Sequence, residues 1–276
     1  MKASIVIRTF NSERTIGKVL EHIRAQAFRD YEVVIVDSGS TDGTLEIVRR
    51  YAPDTVVDYS HGRFTYSGAL NAGCDAARGE YVVCLSSHCI PLRGDWLGLL
   101  IGTLDTDERL AGAWGPLMFD ANEVARDGRA EVVDLEKFRR MPTWGLRNAN
   151  GVIRRVLWAE RPFSEKVERC EDQDWVHHFL RRGYTTAVVH GAAVYYTPDI
   201  GFVRHTVKTY KDAMALYEMF GYKGQQVPLR DLLWEIRWFY RATRQGRKPL
   251  RASKLAISSR IGRWSAAKVI ERGGLR

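Results

Sequence analysis

Val33-Val34-Ile35-Val36-Asp37-Ser38-Gly39-Ser40-Thr41-Asp42-Gly43-Thr44 is the stretch that decides how this 276-residue chain is read. Four consecutive β-branched residues, entered through Tyr31-Glu32, describe a strand buried on both faces, as in a parallel sheet. A short carboxylate follows at once, then glycines that let the backbone turn, then Thr41-Asp42-Gly43-Thr44 as a helix start. Working outward, Ser4–Arg8 is another β-rich run, followed by Asn11-Ser12-Glu13 and by Ile16, Val19, Leu20 and Ile23 at helical spacing. Thr55–Val57 reads as a third strand, Gly68–Ala77 as a small-residue helix, and Tyr81–Leu85 as a fourth strand ending in Ser86-Ser87-His88. Repeated β-α-β units at this spacing specify an α/β fold with a doubly wound parallel sheet.

The second half is less regular. Gly112–Leu117 and Arg154–Trp158 read as strands, Asp172–Arg182 as a helix bounded by Gly183, and Thr185–His190 and Ala192–Tyr196 as strands again. From Val203 to Phe220, from Leu229 to Thr243 and again after Pro249 the pattern is helical. Residues 118–150 carry no readable chemistry. Gly221–Pro228 is the best boundary, separating a body (1–220) from a tail (221–276).

Composition excludes several classes. With 45% hydrophobic and 27% charged residues the chain is not intrinsically disordered, and no run of 18 apolar residues offers a spanning helix. The first residues enter a strand pattern directly, so no cleavable leader is expected. Cys74, Cys84, Cys89 and Cys170 have neither Cys-x-x-Cys nor zinc spacing, and reduced cytosolic thiols are the economical reading. The net charge of +9 is local: residues 229–276 hold 13 Lys and Arg against 3 Asp and Glu, leaving the rest of the chain near neutral. Any attraction to nucleic acid or to an anionic membrane surface therefore attaches to the tail.

Ligands of open parallel sheets bind outside the carboxyl ends of the strands, here Thr9-Phe10-Asn11, Asp37-Ser38-Gly39-Ser40 and Ser86-Ser87-His88. Asp37 suits a base N–H or a sugar hydroxyl, or else it caps the helix that begins near Asp42. No Gly-x-Gly-x-x-Gly follows the first strand, which counts against a dehydrogenase.

These residues, with His61-Gly62-Arg63, Leu70-Asn71-Ala72-Gly73, Ala77-Arg78-Gly79-Glu80-Tyr81, Pro162-Phe163, Glu171-Asp172-Gln173-Asp174-Trp175, Gly183-Tyr184 and Ala193-Val194-Tyr195, occur in one order. In that order the chain resembles family 2 glycosyltransferases of the GT-A fold, most nearly the bacterial rhamnosyltransferase-type enzymes, over roughly residues 3–220. The resemblance implies a nucleotide-binding half (1–100), an acceptor half (101–220) and a basic amphipathic helical tail (221–276) outside it. It implies inverting transfer from a nucleotide-diphosphate sugar to an acceptor hydroxyl, on a glycan or lipid-linked acceptor of the bacterial cell envelope, at the cytosolic face. Asp37 would hold the base, Thr9 and Phe10 would line its pocket, and Asn11, Ser40, Arg63, Asn71, Ser86, Ser87 and His88 would complete the donor site. A non-catalytic nucleotide-sugar-binding subunit is the rival reading.

Inversion at an anomeric carbon needs a base for the acceptor proton. Asp172 is the candidate, with Glu171 orienting it, and a helix N-terminus is expected to keep such a carboxylate ionised near neutral pH. The same pair would also serve as an ordinary acidic first turn. Ser86-Ser87-His88 departs from the resemblance, because relatives place aspartates there for a divalent cation, and Tyr196 stands where a histidine is expected. Either His88 still takes a manganese or magnesium ion, or no metal is needed and Arg63, His88 or His205 neutralises the leaving diphosphate. A third reading leaves His88 as a strand cap. In the tail, Leu229, Leu232, Leu233, Ile236 and Tyr240 oppose Arg230, Arg237, Arg241 and Arg244, with Trp234 and Trp238 alongside. That pattern suits the inner surface of an anionic membrane or a helix packed on the body; nucleic acid is the weaker partner.

Overall fold

The computed structural model describes residues 1–118, 129–197, 201–224 and 251–271. The expected helix from Leu229 lies outside these residues. Within them the chain forms two compact units, Met1–Phe138 with Thr143–Thr197, and Arg139–Pro142 with the stretch from Pro198.

The first unit is built on an eight-stranded sheet. Its strands are β1 (Ala3–Thr9), β2 (Tyr31–Asp37), β3 (Thr55–Asp58), β4 (Tyr81–Ser86), β6 (Leu110–Trp114), β8 (Ala130–Val133), β9 (Asn150–Arg154) and β10 (Thr185–Val189), in the order β3-β2-β1-β4-β9-β6-β10-β8. Pairing is parallel from β3 to β4, while β9 runs antiparallel between β4 and β6, and β8 is an antiparallel edge. A small sheet of β5 (Cys89–Pro91), β11 (Val194–Tyr196) and β7 (Leu117–Met118) lies beyond.

Strand alternation sends successive side chains to opposite faces. Ile5, Ile7 and Ile35 join one core with α1 (Ile16–Arg24) and α4 (Trp96–Asp105), in which Ile16, Val19, Leu20 and Ile23 are buried. Each such side chain contributes roughly 1.5–3 kcal/mol. Val6 and Val36 face α3 (Tyr66–Ala76) on the other side, where Gly73 is required: a Cβ there would stand 2.3 Å from the Val6 side chain. The remaining helices of this unit include α2 (Thr44–Arg50), α5 (Leu135–Arg140), α6 (Arg155–Glu160) and α7 (Glu171–Leu180).

Two expectations change. Arg154–Trp158 is not a strand: the strand is Asn150–Arg154, and the chain turns into α6 at Arg155. Short apolar runs do not distinguish strand from helix, and what selects the strand is the two neighbours β4 and β6 that take Gly151, Val152 and Ile153. Gly112–Leu117 is broken at Gly115-Pro116, because proline cannot donate to the ladder and a Cβ at Gly115 would strike the Ala192 carbonyl.

The Ala77-Arg78-Gly79 motif closes a buried network. Glu32, fully buried on β2, accepts from the Ser4 hydroxyl (2.6 Å), the Arg78 amide (2.7 Å) and the Arg78 Nε (2.8 Å). Burial alone would raise this carboxyl, and these bonds outweigh it and hold it below the ordinary value.

In the second unit α8 (Phe202–Phe220) packs on α9 (Arg251–Glu271) through Met214, Ala266 and Ile270. Gly262 permits the crossing, since a Cβ would lie 2.5 Å from the Thr206 carbonyl oxygen. His205 is buried in this pair, 2.6 Å from the Ser258 hydroxyl, and burial lowers its pKa. It is therefore a core histidine, not the phosphate-neutralising cation considered above. By compactness α8 groups with α9 in this second unit.

Candidate active site

Because β1, β2, β4 and β6 point one way, Thr9, Asp37, Ser86 and Trp114 end at one edge of the sheet. The antiparallel β9 begins at that edge, bringing Arg147-Asn148-Ala149 to it.

On the β1–β2 side the two loops are stapled together. Asp37 Oδ2 accepts from the Gly39 amide (3.0 Å) and the Ser40 amide (2.9 Å), and Oδ1 accepts from the Ser40 hydroxyl (2.6 Å). Gly39 takes φ +87°, a conformation in which a side chain is strained. Asn11, itself left-handed at φ +46°, accepts from the Thr41 amide, and its own amide donates to the Ser40 Oγ (2.9 Å). Glu13 accepts from the Gly43 amide, and Asp42 accepts from the Glu13 and Thr44 amides and the Thr44 hydroxyl. Glu13 and Asp42 thus shape the loops. Phe10 stays 59% exposed, and the buried Thr9 Oγ1 has no hydrogen-bond partner among the described residues.

Helix α7 carries the other side. It is oriented by a chain of motif residues: Asn71 bonds both the amide and the carbonyl of Phe163 (3.0 and 2.8 Å) and the Trp158 indole (3.0 Å). The Trp175 indole then donates to the Arg161 carbonyl (2.7 Å), and Arg161 pairs with Asp174 (2.8 Å). Asn71, expected among donor contacts, has its amide engaged in this scaffold instead.

At the start of α7, after a left-handed Cys170 (φ +59°), Glu171 and Asp172 meet Asn148. The Asn148 amide donates to Asp172 Oδ2 (3.3 Å), its side-chain nitrogen to Glu171 Oε1 (3.3 Å), and the Gln173 amide to Asp172 Oδ1 (2.9 Å). Arg8 approaches Glu171 at 4.0 Å. Asp172 is not held ionised as expected. Burial and the adjacent Glu171 charge push its carboxyl up to about 7, against the opposing amides and Arg147. A helix N-terminus offsets desolvation less well when a second carboxylate shares it. A carboxyl titrating near neutrality is suited to accept a proton at working pH.

Arg147 is the residue that sequence reasoning missed. Its guanidinium lies 4.8 Å over the Trp114 ring, and burial lowers its pKa while Asp172, Tyr196 and Cys170 oppose that shift. Among the described residues the buried Arg147 Nε and Asn148 Oδ1 have no hydrogen-bond partner. Nothing in the unreadable 118–150 stretch set it apart from the four other arginines there.

Ser86 and Ser87 are buried; the Ser86 amide donates to the Ala149 carbonyl (3.1 Å), and Ser87 shares a 2.8 Å hydroxyl contact with Ser12. The His88 ring packs on Tyr196 (centroids 5.2 Å apart), and its carbonyl accepts from the Thr197 amide (2.9 Å). The two positions that depart from the resemblance therefore face each other. Among the described residues no three His, Cys, Asp or Glu side chains are grouped to hold an ion. One imidazole among hydroxyls is a poor donor set for magnesium or manganese, which favour carboxylates, so the local residues do not fit such a cation. Arg63 stands in solvent, paired with Glu168 at 3.4 Å. No disulfide joins the four cysteines, and no described helix is long and apolar enough to cross a membrane.

The mostly parallel sheet with its flanking helices is a GT-A-like fold. Residues 4–152, more than half of the chain, match the model of glycosyl transferase family 2, and the chain belongs to that family. It is 30% identical over 129 residues to a Campylobacter jejuni GalNAc(5)-diNAcBac-PP-undecaprenol beta-1,3-glucosyltransferase, covering 44% of this chain and 35% of that protein. It is 33% identical over 84 residues to a Borreliella burgdorferi cholesterol galactosyltransferase, covering 30% and 24%. These matches span well under half of each relative. In fold it is similar to a Pyrobaculum calidifontis mannosyltransferase solved with GDP-Man and Mn2+ (TM-score 0.65, 20% identity, covering 99% of this chain and 79% of that one). It is also similar to S. aureus TarS 1-349 (TM-score 0.58, 18% identity, covering 99% and 92%).

Proposed function

We propose that the chain is a glycosyltransferase that moves a sugar from a nucleoside-diphosphate donor to an acceptor hydroxyl with inversion at the anomeric carbon. The observation that carries this is Asp172: a half-buried carboxyl at the sheet edge, titrating near 7, opposite a loop built to seat a ligand. In this reading Asp172 takes the acceptor proton as the hydroxyl attacks, and Glu171 and Asn148 orient it. Asp37 Oδ1 retains a lone pair for a base N–H, Thr9 Oγ1 supplies a hydrogen bond, and Phe10 covers the ring. Ser86, Ser87 and His88 lie on the diphosphate side.

The acceptor is a lipid-linked or polysaccharide glycan of the cell envelope, a reading supported by the undecaprenol-linked substrate named for the Campylobacter relative. Work at the inner membrane face, with the basic tail resting on anionic lipid, accords with that acceptor. The test is to incubate the protein with a panel of nucleoside-diphosphate sugars and lipid-linked acceptors. Nuclear magnetic resonance then follows nucleotide release and the configuration of the new linkage. An α-linked donor should yield a β-linked product; retention of configuration, or no turnover of any donor, would remove the reading.

A further inference from the structure

Arg147 is a half-buried cation to which the mechanism above gives no task. Its guanidinium lies 4.8 Å over the Trp114 ring, and among the described residues its Nε is enclosed without a partner and the group makes no hydrogen bond and no ion pair within 4 Å. An enclosed guanidinium N–H that no protein group answers is costly unless a ligand or water meets it. The position is informative. The next residue, Asn148, donates its amide to Asp172, and the one after, Ala149, accepts from the Ser86 amide. Arg147 is thereby set between the carboxylate of α7 and the Ser86-Ser87-His88 segment, with Tyr196 facing both it and His88.

That segment lacks the carboxylates a divalent cation would need, yet a diphosphate leaving from an anomeric carbon requires positive charge beside it. A guanidinium presents five donors in a planar fork that matches phosphate oxygens, and an aromatic face beneath holds the fork in one plane. Resting on the sugar-transfer reading, we propose that Arg147 binds the donor diphosphate and supplies the charge that stabilises it as it leaves. Asn148 Oδ1, another unanswered atom on the adjacent residue, would receive a sugar or acceptor hydroxyl.

The experiment is calorimetric titration of UDP, GDP, UMP and GMP, in chelator, against the wild-type chain, Arg147→Met and Arg147→Lys. The wild type should bind one diphosphate about tenfold or more tighter than its monophosphate. Arg147→Met should bring that ratio to about one while the monophosphate affinity moves less than about threefold, and Arg147→Lys should keep part of the preference. Thermal unfolding checks that the variants fold; if Arg147→Met does not, the ratio in Arg147→Lys must still fall. Equal loss for both nucleotides, or an unchanged ratio, would show a structural arginine and overturn the proposal. A wild-type preference that appears only with added manganese would assign the diphosphate to a metal and likewise overturn it. Absence of binding by any of the four nucleotides would instead strike the donor reading itself.

Discussion

Asp42 and Asp172 are both aspartates at helix starts on the same sheet edge, and their surroundings drive them in opposite directions. Burial alone would raise Asp42, but hydrogen bonds from Thr44 and the Glu13 amide outweigh it and hold the carboxyl below its ordinary value. At Asp172 burial is larger, Glu171 adds a like charge, and two amides with Arg147 do not overcome them. The contrast extends to the neighbours. Around Asp42 the loop groups are answered within the loops: Asn11 and Asp37 both bond Ser40, Asn11 also bonds Thr41, and Glu13 bonds Gly43. Around Asp172, Arg147 and Asn148 keep buried polar atoms that nothing answers. A closed network makes a rigid seat for a ligand, whereas an unsatisfied one keeps its charge differences for the reacting atoms.

The largest expected effect tests the reactive side. Asp172→Asn cannot take a proton, so turnover should fall by roughly 100-fold or more with nucleotide affinity retained; near-normal turnover would reassign the base, first to Glu171. The same comparison fixes a pH profile. Because the carboxyl is raised to about 7 and the base form is the ionised one, kcat/KM should climb about tenfold per unit below that pH and level off above it. A profile already flat at pH 6 would mean that Asp172 is ionised like Asp42 and that the contrast does not hold in solution.

A smaller effect tests the seat. Asp37→Ala removes an acceptor for the ligand and for the Gly39 and Ser40 amides, and should weaken nucleotide binding by about 1–3 kcal/mol. Unchanged affinity in a folded variant would take Asp37 out of the pocket. The smallest effect probes the one exception on that side. Thr9→Val deletes a hydroxyl that no protein group answers, so thermal stability should hold or rise slightly while nucleotide affinity drops by about 1 kcal/mol. Lost stability with full affinity would show that Thr9 serves the fold alone.

Strand and helix placement in the first ninety residues follows from local pattern, because β-branched runs and helical spacing of Ile16 through Ile23 act over a few residues. The same stretch displayed Asp37 and the loops after β1, β2 and β4, since short polar residues stand where apolar strands stop. Asn71 shows the limit of that signal: its motif is plain in the sequence, yet only packing reveals that the side chain binds the Phe163 backbone 92 residues away. The strand at Asn150–Arg154 depended likewise on β4 and β6 offering it a place.

What the amino-acid order determined by itself was the family, the sheet edge proposed to seat the donor and the candidate pair Glu171-Asp172. Tertiary structure alone decided the protonation of Asp172, the inward burial of His205 and the meeting of Arg147 with Trp114, Asp172 and Tyr196. Desolvation and Coulomb interactions depend on distance through space and on excluded water, and neither quantity is carried by residue spacing along the chain.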